Sequence, residues 1–413
     1  MEKNIFKIKN QQNYRMLILI TVMCLIAGIY RNGIMTLFPF LQDEFNLNRT
    51  QVGLYSTFLY ISSTSVTIFT GRIADFWGVK KSMLWGLLFT GLFIFLHSVS
   101  FNFISLLIFA SITGIGFSII MPTSSKGIAE WFIDSNKSTA MGIMTLGYPI
   151  GGVLGSLFLP YIGENFSWRV DVIIIGLLFL AGGLIFNKFY KSKEVNLKTK
   201  KEEGGSLISN VGIFLKNKYL RMLCIIGVMF GIASSIVVTH FTLFLYTDLK
   251  FSAVIAGIGF MFIQIGSMIG RPFWGFLNDR HFGDVKRYGF LIVGLLLSIT
   301  SASFFLLSNL KVSIYLIFFL AFLLGASGRG WQGLYFAAVS DQVGNSVTGL
   351  GIGLSLVFVR LGIIIGPPTF GFIADRYNSY YISWLILGIV FLIFIIISYF
   401  YLDKYNRSKK EIN

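Results

Sequence analysis

The sequence predicts an all-α membrane protein, with twelve transmembrane helices in two pseudo-symmetric six-helix bundles. Three observations predict it. Of 413 residues, 55% are hydrophobic and only 13% charged, where a soluble protein carries roughly a quarter charged residues. The apolar residues fall into about twelve continuous runs, each close to the ~20 residues a helix needs to cross a bilayer. The second half of the chain also repeats the first. Spanning β-barrels alternate apolar and polar residues in short segments, so continuous runs favour helices.

The runs are 16–40, 51–71, 82–101, 103–124, 139–162 and 168–190, then 220–246, 251–277, 287–307, 311–338, 347–374 and 379–402. The basic N-terminus followed by Met16–Tyr30 imitates a signal peptide. The run is too long for one and has no small-residue cleavage site, so it reads as a retained first span. Between the sixth and seventh runs lies "KSKEVNLKTKKEEGGSLISN", 191–210, charged and apolar-poor. It reads as a linker, part of it an amphipathic surface helix. The chain thus divides into an N-terminal bundle (1–190), a cytoplasmic linker (191–219) and a C-terminal bundle (220–413).

The net charge of +16 would suit nucleic acid, but its placement points to topology instead. Lys3, Lys7, Lys9, Arg15, Arg72, Lys80, Lys81, the cluster from Lys188 to Arg221, Arg280, Lys286, Arg287 and Lys404 to Lys410 all fall on one side of the twelve-span scheme. Arg49, Arg169, Lys250, Lys311 and Arg376 fall on the other. That bias places both termini in the cytoplasm of a cell bounded by the plasma (inner) membrane. Cys24 and Cys224 both lie inside runs and read as small apolar packing residues. The sequence shows no metal-ligand cluster, nucleotide loop or nucleophile triad, so neither a cofactor nor an enzymatic activity is expected.

The repeat is visible in motifs. "GRIADFWGVKK" (71–81) recurs as "GFLNDRHFGDVKR" (275–287), "AEWF" (129–132) as "SDQV" (340–343), and "GVLGSLFLPYIGENFSW" (152–168) as "GPPTFGFIADRYNSYYISW" (366–384). The offsets are 279 − 75 = 204, 341 − 130 = 211 and 384 − 168 = 216, a drift expected of a duplicated half with small loop insertions. Internal repeats of this kind mark transporters, with a site near mid-membrane.

On these motifs the chain resembles the major facilitator superfamily along essentially its whole length. The strongest match is the loop of Gly71, Asp75, Gly78, Lys80 and Lys81 between spans 2 and 3. In that family the loop is a cytoplasmic gate. Here Phe76 follows Asp75, and a lysine pair replaces the usual arginines. The second copy supplies Gly275, Asp279 and Arg280, and Glu130 and Asp341 occupy corresponding positions. "KSTAMG", beginning at Lys137, resembles the family's basic motif at the start of span 5. Physically, Gly71 allows a neighbouring helix to approach. Asp75 is suited to a helix N-terminus or a basic residue of another span, giving an ion pair that breaks when the halves move. The plain alternative is a topology signal in which Lys80 and Lys81 hold the loop inside.

A charge at a membrane helix centre costs about 2.5–3.5 kcal/mol on insertion scales. Arg31, Arg271, Arg329 and Arg360 fall within runs, while Asp248, Glu130, Asp341 and Asp375 lie toward run ends. The core therefore has a surplus of positive charge that an anionic substrate would balance. Arg31 follows Met16 by about 22 Å of helix and precedes Pro39 by eight residues. That spacing resembles span 1 of the organophosphate/phosphate antiporters and related organic anion transporters, where an arginine faces the cavity. The span-7 arginine of the phosphate binders is missing from "ASSIVVTHF", 233–241, which shifts the expectation toward carboxylates. Arg271, in "QIGSMIGRPFWG", resembles the span-8 arginine of oxalate/formate and monocarboxylate transporters, and Arg360 falls near a span-11 lysine of the former group. A guanidinium matches the two oxygens of a carboxylate. The alternative for each arginine is snorkelling to a headgroup or, for Arg329 in "GASGRGWQG", pairing with a backbone carbonyl. Tyr30, Tyr148, Gln264 and His240 are further candidates to line a cavity, although His240, late in its run, reads more readily as a packing or interface residue.

The resulting expectation is a monomeric secondary or facilitated transporter of a small organic anion, working by alternating access. Its surroundings are the lipid bilayer, and it has no nucleic-acid partner. The alternatives are a proton symporter of sugar acids or other metabolites, a multidrug/proton antiporter, and a non-transporting sensor on the same fold. No buried acid is evident for proton coupling, which tilts the expectation toward exchange or uniport.

Overall fold

The computed structural model describes residues 2–132, 137–192, 217–283, 285–309, 313–343 and 348–412, and among them every regular element is helical. Most of the expected linker lies outside the described residues, as does its amphipathic helix. Eleven helices among the described residues are long and apolar enough to cross a membrane. The remaining expected span, 51–71, is the first part of α3 (Arg49–Leu96), which is two helices joined across a kink at Gly78. Gly78 has φ 72°, a backbone that L side chains rarely adopt. The two helical parts of α3 supply spans 2 and 3, with Gly78 at the joint between them.

Span 1 is α1 (Glu2–Gly33) followed by a single 3-10 turn, Ile34–Leu37, and α2 (Phe38–Phe45). Pro39 lies in the first turn of α2. It has no N–H to donate and clashes with the carbonyl four residues earlier, so the α-helix is interrupted just before it. Arg31 is in the last turn of α1, where the helix dipole favours a cation.

Span 4 is also interrupted, into α4 (Phe103–Phe117) and α5 (Ile120–Trp131). Spans 5 and 6 are α6 (Lys137–Asn165) and α7 (Trp168–Phe189). The second half follows with α8 (Lys218–Thr247), α9 (Ala253–Phe282), α10 (Lys286–Leu306), α11 (Ile314–Gly328), α12 (Gln332–Val343), α13 (Thr348–Arg376) and α14 (Tyr380–Ile412). Spans 4 and 10 run further than expected, to Trp131 and Val343. Their amphipathic ends continue the helix past the apolar run.

The repeat is structural. Span 10 breaks as span 4 does, each into a 15-residue and a 12-residue helix, at an offset of 314 − 103 = 211. A glycine seam joins α1 to α6, and another joins α8 to α13. A Cβ on Gly151 would overlap the carbonyl of Leu25, and one on Gly362 the carbonyl of Val228. Small residues let the backbones approach to where dispersion and weak hydrogen bonds hold them, the usual device for helix pairing in lipid.

Two compact units result. Unit 1 is Met1–Leu47, Leu54–Leu197 and Phe251–Met261, and unit 2 is Asn48–Gly53, Lys198–Lys250 and Phe262–Asn413. The first turn of α3 therefore packs with unit 2, and the first turns of α9 with unit 1.

Candidate substrate site

In unit 1, three helices converge on Arg31. Its Nε donates to the Tyr60 hydroxyl of α3 at 3.3 Å, and its guanidinium lies 5.7 Å from the Tyr60 ring centroid. Tyr148 of α6 lies within electrostatic range of Arg31, and its buried hydroxyl meets no hydrogen-bond partner among the described residues. The Asn32 side chain donates to the Tyr148 carbonyl at 3.4 Å, fixing the register of α1 on α6. Among the described residues no ion pair involves Arg31. A guanidinium flanked by two phenols can take a carboxylate on its fork and hydroxyls on the tyrosines. Tyr30, the other expected lining residue, faces inward instead. Only 1% of it is exposed, and its ring packs near Phe117 and Phe179.

In unit 2, two of the expected residues meet: Arg329 Nη1 donates to Gln264 Oε1 at 2.7 Å. Arg329 caps the C-terminal end of α11, at the break in span 10. Trp331 beside it donates to Ser234 at 2.9 Å and stacks on Phe230 at 5.1 Å, so its indole is committed to the core. Arg271 follows Gln264 by seven residues on α9, two turns along one face. Arg271 and Arg360 are both half-buried. His240 is fully buried, one ring nitrogen 3.0 Å from the Tyr380 hydroxyl and the other 2.8 Å from the Pro367 carbonyl. Both nitrogens are engaged, which places it in a packing network.

The expected gate acids recur in both halves, each bound to a lysine from a different place in the chain. Asp75 accepts from Lys126 of α5 at 2.8 Å, and Lys126 also donates to the Ala74 carbonyl at 2.8 Å. Asp279 accepts from Lys286 at 2.6 Å. Gly78 and Gly283, which follow these acids, both have positive φ, 72° and 53°. The close helix approach expected at the first glycine is absent from its counterpart: nothing lies within 4 Å of a Cβ placed on Gly275. The side-chain surroundings of Gly71 lie outside the described residues. Glu130 is buried and accepts from the Tyr190 hydroxyl at 2.9 Å. Arg280 sits 5.8 Å from the Phe276 ring centroid. Lys80 is half-buried, and Lys81, Lys137 and Asp341 are exposed.

The Major Facilitator Superfamily model matches residues 20–354 and again 223–413. The chain belongs to the major facilitator superfamily. A hexuronate transporter of Bacillus subtilis (strain 168) is 24% identical over 365 residues, covering 85% of each chain. A D-galactonate transporter of Escherichia coli O6:H1 is 23% identical over 397 residues, covering 89% of this chain and 90% of that one. A galacturonate transporter of Dickeya chrysanthemi is 27% identical over 212 residues, 49% of this chain and 59% of that one. Among solved structures, a bacterial homologue of the human lysosomal transporter Spinster, inward-facing and unoccupied, superposes with TM-score 0.78 at 16% identity, over 95% of this chain and 96% of that one. The nucleoside transporter NupG gives TM-score 0.76 at 14% identity, over 95% of this chain and 99% of that one. The chain is thus a membrane transporter of the superfamily and not an enzyme.

Sequence reasoning missed several partners within this superfamily fold. Tyr60 sits in an unmarked apolar stretch. Lys126 and Tyr190 carry no motif of their own. Asp171, in the first turn of α7, is completely buried, and neither carboxyl oxygen has a hydrogen-bond partner among the described residues. The signal for Asp171 was its place inside an apolar run, obscured by Arg169 two residues earlier.

Proposed function

We propose that this superfamily member carries a small organic anion of the sugar-acid class by alternating access, with both termini on the cytoplasmic side of the plasma membrane. The Arg31–Tyr60–Tyr148 arrangement carries the reading. A hexuronate or hexonate presents one carboxylate for a guanidinium and several hydroxyls for phenols, and three relatives of this chain bear names of sugar-acid transporters. Arg271, Arg329 with Gln264, and Arg360 are further candidate contacts. The loops at Gly78 and Gly283 act as gates, each tied down by one acid–lysine pair.

The test is uptake and counterflow in proteoliposomes containing the full chain. Glucuronate, galacturonate and galactonate should be taken up and should compete with one another. Transport of organic cations alone would overturn the assignment and restore the multidrug reading.

Proton symport is a second reading, favoured by Asp171. A carboxyl buried without a donor is costly as an ion, and burial of that kind suits a group that takes up and releases a proton. An imposed pH gradient should then drive sugar-acid accumulation in the wild type and not in Asp171→Asn. Accumulation that ignores the gradient in both proteins would leave exchange or uniport.

A further inference from the structure

A groove of about 650 Å³ runs between α1 and α7 on the outside of unit 1. Ala181 and Gly182 of α7 make its narrow wall, set against Leu19, Met23 and Ile26 of α1. A Cβ on Gly182 would stand 3.0 Å from the end of the Ile26 side chain and 3.4 Å from the Met23 sulfur, so glycine keeps this wall close against α1. Ile18, Val22, Leu178 and Ile185 form the apolar edges and are 39–62% exposed. One end is different. Arg15 and Lys191 lie there with Gln12. The helices run antiparallel, so Arg15 on α1 and Lys191, just past the end of α7, meet at the same membrane edge.

The dimensions match one leaflet. From Arg15 to Ile26 the helix rises about 16 Å, and half of a ~30 Å hydrocarbon core is about 15 Å. We infer that the groove is a binding site for an anionic glycerophospholipid of the leaflet on the side of the chain termini. An acyl chain lies along Ala181 and Gly182, and the phosphate is held between Arg15 and Lys191. Charge complementarity selects this occupant. An uncharged or zwitterionic lipid would fill the apolar length without answering two cations at one end, and each basic residue near a charged surface is worth about fivefold in binding. The site lies apart from Arg31, yet on the same helix, so a bound lipid stiffens the helix that carries the anion contact.

Native mass spectrometry of the full chain in detergent, titrated with phosphatidylglycerol or phosphatidylcholine, tests the site. The expected result is one phosphatidylglycerol bound about tenfold or more tightly than phosphatidylcholine. The preference should largely vanish in Arg15→Gln/Lys191→Gln. Ala181→Trp fills the groove from its exposed side without entering the packed core, and should weaken retention of the bound lipid. Three outcomes overturn the inference. The first is equal retention of the two lipids. The second is an anionic preference unchanged in the double variant, which would assign it to the other basic residues at that edge. The third is a cysteine at position 181 that crosslinks to one placed in 195–210, which would show that the chain's own linker occupies the groove.

Discussion

Asp375, near the end of α13, caps the start of α3, 325 residues earlier in the chain. Its carboxylate accepts from the backbone N–H groups of Arg49 and Thr50 at 2.9 and 2.8 Å, and from the Thr50 hydroxyl at 2.6 Å. The first N–H groups of any helix lack partners within it, and a carboxylate there also meets the positive end of the helix dipole. Arg49 closes the cluster, 3.5 Å from Asp248 and 5.1 Å from the Tyr380 ring centroid. Asp248 in turn accepts from the backbone N–H of Tyr380 at 2.6 Å and the hydroxyl of Ser379 at 2.9 Å.

Asp375→Ala should therefore cost about 1–2 kcal/mol, the range for loss of a helix cap. Glu44 offers a comparison, because it pairs with Arg169 at 2.6 Å while both side chains are more than a third exposed. Glu44→Gln should cost under about 1 kcal/mol. Thermal unfolding of the two variants in detergent checks the order. Equal losses would show that the cap adds nothing beyond an exposed ion pair.

Arg31→Gln removes both the charge and the fork, and Arg31→Lys keeps the charge alone. Hydrogen bonds to charged groups are worth roughly 1.5–3 kcal/mol each, so sugar-acid uptake should fall about a hundredfold or more in Arg31→Gln. The lysine variant should retain activity at about a tenth of wild type, because a point charge does not reproduce a bidentate contact. Tyr60→Phe removes the hydroxyl that positions the guanidinium and should raise the concentration for half-maximal uptake severalfold. Unchanged affinity in Arg31→Gln would return this arginine to a headgroup role.

These contacts were unevenly legible. Arg31 stood out because a permanent charge in an apolar run needs a reason, while the single apolar run 16–40 does not reveal the helix break before Pro39. Asp75 and Asp279 stood out because the chain repeats them, each four residues after a glycine, in two aligned motifs. Tyr60 was hidden because nothing in its apolar run, 51–71, marks it, and only the folded arrangement brings its hydroxyl to Arg31. The Asp375 cap was hidden for a different reason: its partners are backbone N–H groups, which every sequence has. His240 reads from its late place in the apolar run as a packing residue, and its ring bridges the Tyr380 hydroxyl and the Pro367 carbonyl.

Gly78 and Gly283 separate backbone geometry from packing. Nothing lies within 4 Å of a Cβ on either Gly78 or Gly283, so alanine meets no neighbour at either site. Only the backbone opposes it. At Gly78, φ 72° with ψ 167° is a region essentially confined to glycine, so Gly78→Ala should cost about 1–3 kcal/mol. Gly283→Ala should also destabilise, because its φ of 53° is one that L side chains rarely adopt. Gly353→Ala, in a helix and equally open, should be neutral or stabilise by up to about 1 kcal/mol. Measuring all three by thermal unfolding separates the reading of these loops as strained turns from one in which any open glycine tolerates alanine.

The seam glycines predict the opposite pattern. Gly151 on α6 and Gly362 on α13 are helical, so alanine suits their backbones. The added methyl would overlap the carbonyl of Leu25 in one unit and of Val228 in the other. Those atoms belong to the backbones of α1 and α8, and a helix backbone cannot rotate aside as a side chain can. The helices must separate, losing close contacts along the seam, and overpacking of this kind costs about 1–3 kcal/mol or more. Gly151→Ala should also displace α1, and with it Arg31 relative to Tyr148, so its transport should fall even in the fraction that remains folded. Gly362→Ala should match it in lost stability. Size-exclusion profiles and thermal unfolding report the first effect, and uptake per folded molecule the second. Wild-type behaviour of both variants would mean that the paired seams are looser than the repeated geometry describes.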